Sequence, residues 1–437
     1  MGRISAQLRR LARAGRPVSF RKRAVSHQVP KAHDPKRRDD KVDLTELTEI
    51  LELDPARRLC VAEAGVTFEQ LVDATLPHGL MPAVVPELKT ITVGGAVAGC
   101  SLESGSFLHG GFHDGCSRYE VLTARGEVLE VAPDGGAPDD RLLFEMLHGT
   151  FGTLGILTAV TFRLVPAKPF VRVVYERFAT LPELQAAIRG HIDRQDVDFL
   201  DGFAHGPAAY VLNAGTLVDA APYTHRYDWM RIYCDSTATR AEDYLRTKDY
   251  FFRYDHGVTH VHPRSTLGRL LFGGLLGSSQ VLRLAERLPW LLPRRPEVTV
   301  DLFLPFSRAE AFLRWFGGEF RFYPLWCVPY RRLRDYAWLD PRFYAGLADD
   351  LFLDVAVYGM KQRPGRNDYR VIEQKVLELG GMKTLISHNY LTESEFWSVW
   401  NRASFDRVKA RTDPDNLFRD LYQKTRAPAD GVPPGRA

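Results

Sequence analysis

Apolar positions along this chain recur in two rhythms. In Val171–Phe178 they alternate with polar ones, the period of a half-buried strand, and in Leu181–His191 they return every three or four residues, the period of a helix. The same reading predicts a helix over Leu44–Leu53 and a strand over Arg58–Ala62. Thr67-Phe68-Glu69-Gln70 opens a further helix, because Thr followed three places later by Gln is a capping box. Tyr119–Ala124 and Glu127–Val131 flank Arg125-Gly126, a hairpin signal. Leu154–Val165 is β-rich and stops at Pro166-Ala167-Lys168-Pro169, which marks a domain boundary. Beyond it, Val298–Phe303 and Leu351–Tyr358 read as strands among helical segments, an α+β region around an antiparallel sheet. Ala427–Ala437, rich in Pro and Gly, is expected to be disordered.

The 437 residues suffice for two or three domains, and 45% apolar with 26% charged residues is an ordinary globular balance. No run of 18 apolar residues predicts a spanning helix, and the basic N-terminus has no apolar signal core. Five cysteines without a CxxC pair point to packed thiols rather than a disulfide frame or a metal site. Charge is uneven. Residues 1–38 hold twelve Lys/Arg against one acid, Asp34, so the net +4 of the chain conceals an acidic body. Ile4, Leu8 and Leu11 share a helical face among arginines, which suits an anionic membrane surface. Nucleic acid is the rival partner and a solvated arm the plain alternative; the membrane is the expectation carried forward, with no nucleic-acid partner. Residues 264–295 contain the uncharged stretch Leu270–Leu282, bracketed by arginines, which reads as an interfacial helical hairpin or as a buried helix pair.

Candidate chemistry lies in the glycines. Thr92–Gly115 reads TVGGAVAGCSLESGSFLHGGFHDG, with seven glycines. A phosphate held by main-chain N–H groups needs close backbone approach, and a helix opening at Val93-Gly94-Gly95 would present its N-terminus to an anion. The stretch is neither G-x-G-x-x-G nor a Walker motif. A second cluster, His148–Thr158 (HGTFGTLGILT), spaces Gly149, Gly152 and Gly155 by three before a strand. Together the clusters imply a large cofactor in an extended cleft between two small subdomains.

TVGGAVAGCSLESGS…HGG…YEVLTARGEVLEV and LFEMLHGTFGTLGILTAVTFRLVPAK resemble the FAD-binding (PCMH-type) domain of the vanillyl-alcohol-oxidase superfamily. RFYPLWCVPY, LFLDVAVYG and GGMKTLISHNYLTESEFWSVW are similar to the C-terminal half of its Diminuto, or sterol side-chain reductase, branch. The resemblance implies an α+β chain: a basic arm (1–38), a two-subdomain FAD domain (39–168), an α+β cap or substrate domain with an antiparallel sheet (169–380), a C-terminal segment folding back over the flavin (381–426) and a tail (427–437). It implies non-covalent FAD held by Val93, Gly94, Gly95 and Gly99, by Glu103, Ser104 and Ser106, by His109 and Gly110, and by Gly149, Gly152, Gly155 and Ile156. The first phosphate loop would lie in Arg23–Lys31, without the usual glycines, and His27 is not expected to bond FAD covalently.

The reaction implied is reduction of an unactivated C=C bond by protonation and flavin hydride, with NADPH as a transient electron donor. Glu103, Tyr390 and His388 are the candidate acids, with His109 and His113 as further options; His388 would share a strand face with Tyr390. Bacterial relatives of this kind act with a lipid methyltransferase, and the resemblance points to the 10-methylene group of a phospholipid-bound fatty acyl chain, reduced to a 10-methyl branch as in tuberculostearic acid. The expected location is peripheral, on the cytoplasmic face of the cell membrane. A sterol or isoprenoid reductase, an alcohol or sugar oxidase, and a non-catalytic lipid- or nucleic-acid-binding protein are the alternatives.

Overall fold

The computed structural model describes residues 2–23, 38–228, 231–255 and 297–427. Strands β1 (Val18–Arg21) and β2 (Asp40–Asp43) pair in parallel. A six-stranded sheet follows from β3 (Ile50–Asp54), β4 (Leu59–Glu63), β5 (Leu80–Pro82), β6 (Cys116–Leu122), β7 (Val128–Val131) and β8 (Ile156–Pro166), in the order β3-β4-β8-β6-β7 with β5 also on β8. The β6–β7 hairpin turns at Arg125-Gly126, and the helix Phe68–Thr75 carries the Thr67–Gln70 capping box, both as the sequence predicts. The helix expected over Leu44–Leu53 does not form. Ile50–Asp54 pairs with β4 instead, since sheet hydrogen bonds reward an extended backbone that local periodicity did not register.

The basic N-terminus is not a free arm. Gly2–Ala12 is a helix, but it buries Ile4 and Leu8 against Val18, Val42, Leu122, Leu417 and Phe418. The apolar face assigned to a membrane is thus spent on the protein's own core, a burial that contributes roughly 1.5–3 kcal/mol per large side chain. The loop 24–31 with His27, the apolar segment 264–295 and nearly all of the tail lie outside the described residues. No helix among the described residues is long and apolar enough to cross a membrane.

Between Pro166 and Phe170 the chain passes to a second sheet. Strands β9 (Phe170–Phe178), β10 (Phe199–Gly206), β11 (Ala209–Val218), β12 (Glu242–Arg246), β13 (Val298–Pro305), β14 (Leu325–Arg331), β15 (Leu351–Met360) and β16 (Met382–Lys383) form it. Their order is β12-β9-β11-β10-β14-β15-β13-β16, antiparallel throughout. Side chains alternate across it. Leu200, Leu212, Val300, Leu325 and Leu353 pack under the helices Leu181–Arg194, Ala309–Glu319 and Asp368–Glu378. Phe203, Trp326, Tyr330, Phe352 and Phe303 face the first domain and join its core. The fold is therefore α+β, with the first domain against a sheet-rich second domain. The C-terminal segment returns to the first domain: Arg407 and Arg411 pair with Asp139 and Asp140, and Lys424 Nζ donates to the Phe151 carbonyl at 2.6 Å.

Candidate functional site

The two glycine clusters meet. Thr92 Oγ1 accepts from the Gly95 amide and starts the short helix Val93–Gly99. The amides of Gly149 and Phe151 then donate to the carbonyls of Val97 and Ala98, at 3.4 and 3.1 Å. Gly149 has φ +66°, a left-handed conformation that suits glycine, and a Cβ there would stand 3.3 Å from Cys100 Sγ. Gly99 and Gly149 form part of the wall of a cavity. The opposite wall is the inner face of the second sheet, through Phe303, Tyr330 and Phe352; Tyr336 and Trp338 from the loop after β14 and Thr384, Leu385 and Trp400 from the returning C-terminal segment close it.

Its lining is mostly apolar, with a polar edge built by Gly110-Gly111-Phe112-His113-Asp114. A Cβ on Gly110 would collide with Asp114 Oδ2, and one on Gly111 would lie 2.5 Å from the His113 ring. These glycines make room for protein side chains. Asp114 Oδ2 accepts from the Gly111 amide at 2.9 Å and from the Tyr336 hydroxyl at 2.8 Å, while Oδ1 accepts from Arg334 Nε at 3.4 Å. Tyr336 in turn lies 2.7 Å from the Tyr330 hydroxyl. Arg334 also pairs with Glu145. The His113 ring packs 4.8 Å from that of His148, whose Nε2 lies 2.8 Å from the Tyr119 hydroxyl. Burial lowers the pKa of both histidines, His148 the further, and raises those of Tyr330 and Tyr336. Both imidazoles are thus neutral near pH 7.

The remaining expected site residues lie elsewhere. The Val93 and Gly94 amides donate to the Val66 and Ala64 carbonyls, and a Cβ on Gly94 would come within 2.7 Å of Ala64 Cβ. Gly94 thus packs helix on strand end. Gly152 and Gly155 make room for Phe20 and Val121, and Ile156 is in the cluster around the N-terminal helix. His109, half-buried with its pKa pushed down to about 4 by desolvation, is not in the cavity wall. Ser104 and Ser106 are tied to Glu103: the Ser104 hydroxyl donates to its carboxylate, and Ser106 Oγ accepts from its amide at 3.0 Å.

None of the three candidate acids lines the cavity. Glu103 faces Arg253 Nη2 at 3.1 Å, and the same nitrogen stands 3.2 Å from Asp201 Oδ2. Arg253 is fully buried, its guanidinium 3.9 Å from the Tyr250 ring centroid and 4.4 Å from that of Tyr254. Burial raises the pKa of Glu103 and Arg253 opposes that; its neighbours make it a brace between the domains. Tyr390 packs on Tyr369, ring centroids 5.2 Å apart, and its amide donates to Glu373. His388 and Tyr390 are not on a strand; a lone bridge from Asn389 to Arg426 holds the segment. His388 offers its carbonyl to Lys383 Nζ at 2.5 Å. Sequence reasoning missed Tyr330, Tyr336 and Trp338, which line the cavity, and Asp114 and His148, which back its polar edge. The alternation of Trp326, Val328 and Tyr330 on one strand face was a usable signal for one of them.

The residues present fit FAD. His113 Nδ1 and Nε2, Trp338 Nε1 and Thr384 Oγ1 are buried without a protein partner, and all three side chains line the cavity. Orphaned polar atoms at the edge of an apolar, glycine-walled space match a flat ring system with nitrogen and oxygen on its rim. Gly99 and Gly149 would give such a ring close backbone approach, and His113, Trp338 and Thr384 its polar contacts.

Comparison with known proteins agrees. Residues 3–132 match the family described as the FAD binding domain. The chain is similar to a Delta(24)-sterol reductase homolog of Caenorhabditis elegans, 26% identical over 416 residues, 88% of this chain and 78% of that one. It is 24% identical to human Delta(24)-sterol reductase over 401 residues, 86% and 76% of the two chains. Over 129 residues, 29% of this chain and 27% of the relative, it is 37% identical to the decaprenylphosphoryl-beta-D-ribose oxidase of Mycolicibacterium smegmatis. Residues 3–132 thus carry the FAD-binding domain, and the chain is an FAD-dependent oxidoreductase similar to the Delta(24)-sterol reductases.

Proposed function

We propose that the protein reduces an unactivated C=C bond in a lipid, the 10-methylene group of a phospholipid-bound fatty acyl chain being the substrate. The observation that carries this reading is the cavity: aromatic and aliphatic walls with one hydrogen-bonded polar edge. Bound FAD in its reduced form supplies a hydride. The chain's residues do the rest. Phe303, Phe352 and Leu385 exclude water around the alkene, so that a tertiary cation formed on protonation is not captured by it. The Tyr330–Tyr336–Asp114 chain orders the polar edge and keeps its hydroxyls protonated. An alkene offers no heteroatom to a hydrogen-bond donor, which suits so apolar a wall.

A Delta(24)-sterol is the second reading, favoured by the names of relatives matched over three quarters of their length. NADPH as electron donor, a lipid methyltransferase as functional partner and a peripheral place on the inner membrane face belong to the first reading. With the N-terminal apolar face buried, membrane contact would rest on exposed arginines such as Arg9, Arg10 and Arg13.

The test is stepwise. The purified protein is yellow and is bleached anaerobically by NADPH. Vesicles of 10-methylene phospholipid then restore the oxidised flavin spectrum, and a Delta(24)-sterol does so more slowly. Rapid reoxidation by the sterol alone reverses the substrate assignment, and reoxidation by neither refutes alkene reduction.

A further inference from the structure

Reduction of an alkene needs a proton at the reacting carbon; Glu103, Tyr390 and His388 lie outside the cavity, whereas His113, a further option from the sequence, lines it. We propose that His113 is that proton donor, positioned by Asp114 and recharged from the side of His148 and Glu145. This rests on the alkene-reductase reading above.

His113 is 2% exposed, lines the cavity, and has a protein hydrogen-bond partner at neither ring nitrogen. The other buried titratable groups along this edge are spoken for. The Tyr336 proton is given to Asp114, and Tyr330 and Tyr336 hold each other. Desolvation makes both tyrosines weaker acids than usual, and an alkene is a very weak base, so they relay or orient rather than protonate. A buried imidazolium is the opposite case: desolvation disfavours its charge, so once formed it gives up its proton readily.

The surroundings supply both position and proton. Asp114 Oδ2 stands 3.5 Å from His113 Nε2 and is itself fixed by Gly111, Tyr336 and Arg334. The missing Cβ atoms of Gly110 and Gly111 admit this carboxylate and this ring, which gives the H-G-G-F-H-D stretch a reason. The charged and titratable groups facing His113 are Asp114 on its own turn, His148 beyond Gly149, and Arg334 and Tyr336 on the loop after β14. Asp114 favours the imidazolium; Arg334 and His148 oppose it. Behind His148, Glu145 Oε2 lies 3.9 Å from His148 Nδ1 on a side chain 17% exposed, and its neighbour Arg334 is 37% exposed. Glu145 and Arg334 are thus the partly exposed groups behind the two imidazoles, the side from which a proton would return.

The step balances. An imidazolium N–H bond breaks and a C–H bond forms at the less substituted alkene carbon, using the π electron pair. The branch carbon is left cationic and is closed by the hydride that reduced FAD carries. Neutral His113 then regains a proton from solvent through His148 and Glu145.

Three measurements test this in the full-length protein. In FAD-loaded His113→Gln, reoxidation by 10-methylene phospholipid, measured per bound flavin, should fall ~10²–10⁴-fold, the span for a positioned acid, a far larger loss than that in anaerobic bleaching. The parent reoxidation rate should rise as pH falls, and Asp114→Asn should move that profile to lower pH. Independently of turnover, ¹⁵N-imidazole NMR of the parent should show His113 neutral at pH 7 and taking up a proton on acidification, at lower pH in Asp114→Asn. Parent-like reoxidation and pH profile in His113→Gln overturn the proposal. So does a ¹⁵N signal of His113 that stays neutral down to the acid limit of folding, whatever the variant does. Failure of the parent with every alkene lipid, while His113 titrates as described, refutes the alkene-reductase reading, and the proton-donor role falls with it.

Discussion

Tyr336 and Asp114 lie 222 positions apart in sequence, and the tyrosine hydroxyl donates to Asp114 Oδ2 at 2.8 Å. The bond joins the glycine-rich stretch of the FAD domain to the loop after β14, and so fixes the polar edge of the cavity across the domain boundary. Tyr336→Phe should leave a buried carboxylate short of a donor and Tyr330 without its neighbour. A loss of about 1.5–3 kcal/mol in urea unfolding is expected, as for other hydrogen bonds to charged groups. An unchanged unfolding midpoint would mean that the bond contributes nothing.

Arg253 braces Glu103 of one domain to Asp201 of the other with no solvent contact. Arg253→Met should cost about 3–5 kcal/mol, because it strands two buried carboxylates. Glu103→Gln should cost less and, in whatever remains folded, leave flavin reoxidation at the parent rate. A selective loss of reoxidation in Glu103→Gln would return that residue to the list of acids.

Gly94 rests on Ala64: a methyl group on its Cα would stand 2.7 Å from Ala64 Cβ and 3.0 Å from the Ala64 carbonyl oxygen. Gly94→Ala should therefore destabilise by about 1–3 kcal/mol through overpacking, and Ala64→Gly in the same chain should recover part of it. Thermal melts of the apoprotein read this without flavin. If Gly94→Ala lowers FAD affinity and leaves the apoprotein melt untouched, the glycine faces the cofactor after all.

His191 sits between Glu176 (Nε2 to Oε1, 2.8 Å) and Asp196 (Nδ1 to Oδ1, 2.7 Å). The hydrogen bond to Glu176 foremost, and that to Asp196, raise its pKa above the usual 6.5 against the effect of burial. A raised folded pKa means that the native state binds the proton more tightly than the unfolded chain. The stabilisation is complete below the unfolded value near 6.5 and fades as pH climbs through the folded value. His191→Gln should flatten the fall in melting temperature as pH rises through that folded value. An identical slope in parent and variant would show that His191 does not set it.

Much of the architecture was legible in the sequence because it rests on local order. Thr67 and Gln70 specify a helix start through their own backbone, Arg125-Gly126 a hairpin, and the alternation in Val171–Phe178 a strand with one buried face. The two glycine clusters marked the cofactor region, since unusual backbone shows in composition. Which atoms those glycines make room for was not legible. Gly94 serves Ala64, Gly110 serves Asp114 and Gly152 serves Phe20, partners 30, 4 and 132 positions away that only packing brings near. Likewise Ile4 and Leu8 form an apolar helical face whether it meets a membrane or a core, and the fold decides for the core by setting Phe418 and Val42 against it. Glu103, Tyr390 and His388 look chemical in sequence because their side chains are. Arg253, Tyr369 and the bridge at Asn389 turn them into braces, while the cavity goes to His113, Tyr330 and Tyr336 because strand alternation and the turn after Gly111 aim them there. Side-chain chemistry is written in sequence, but burial and neighbours are properties of long-range contacts, and they decide which groups can move a proton.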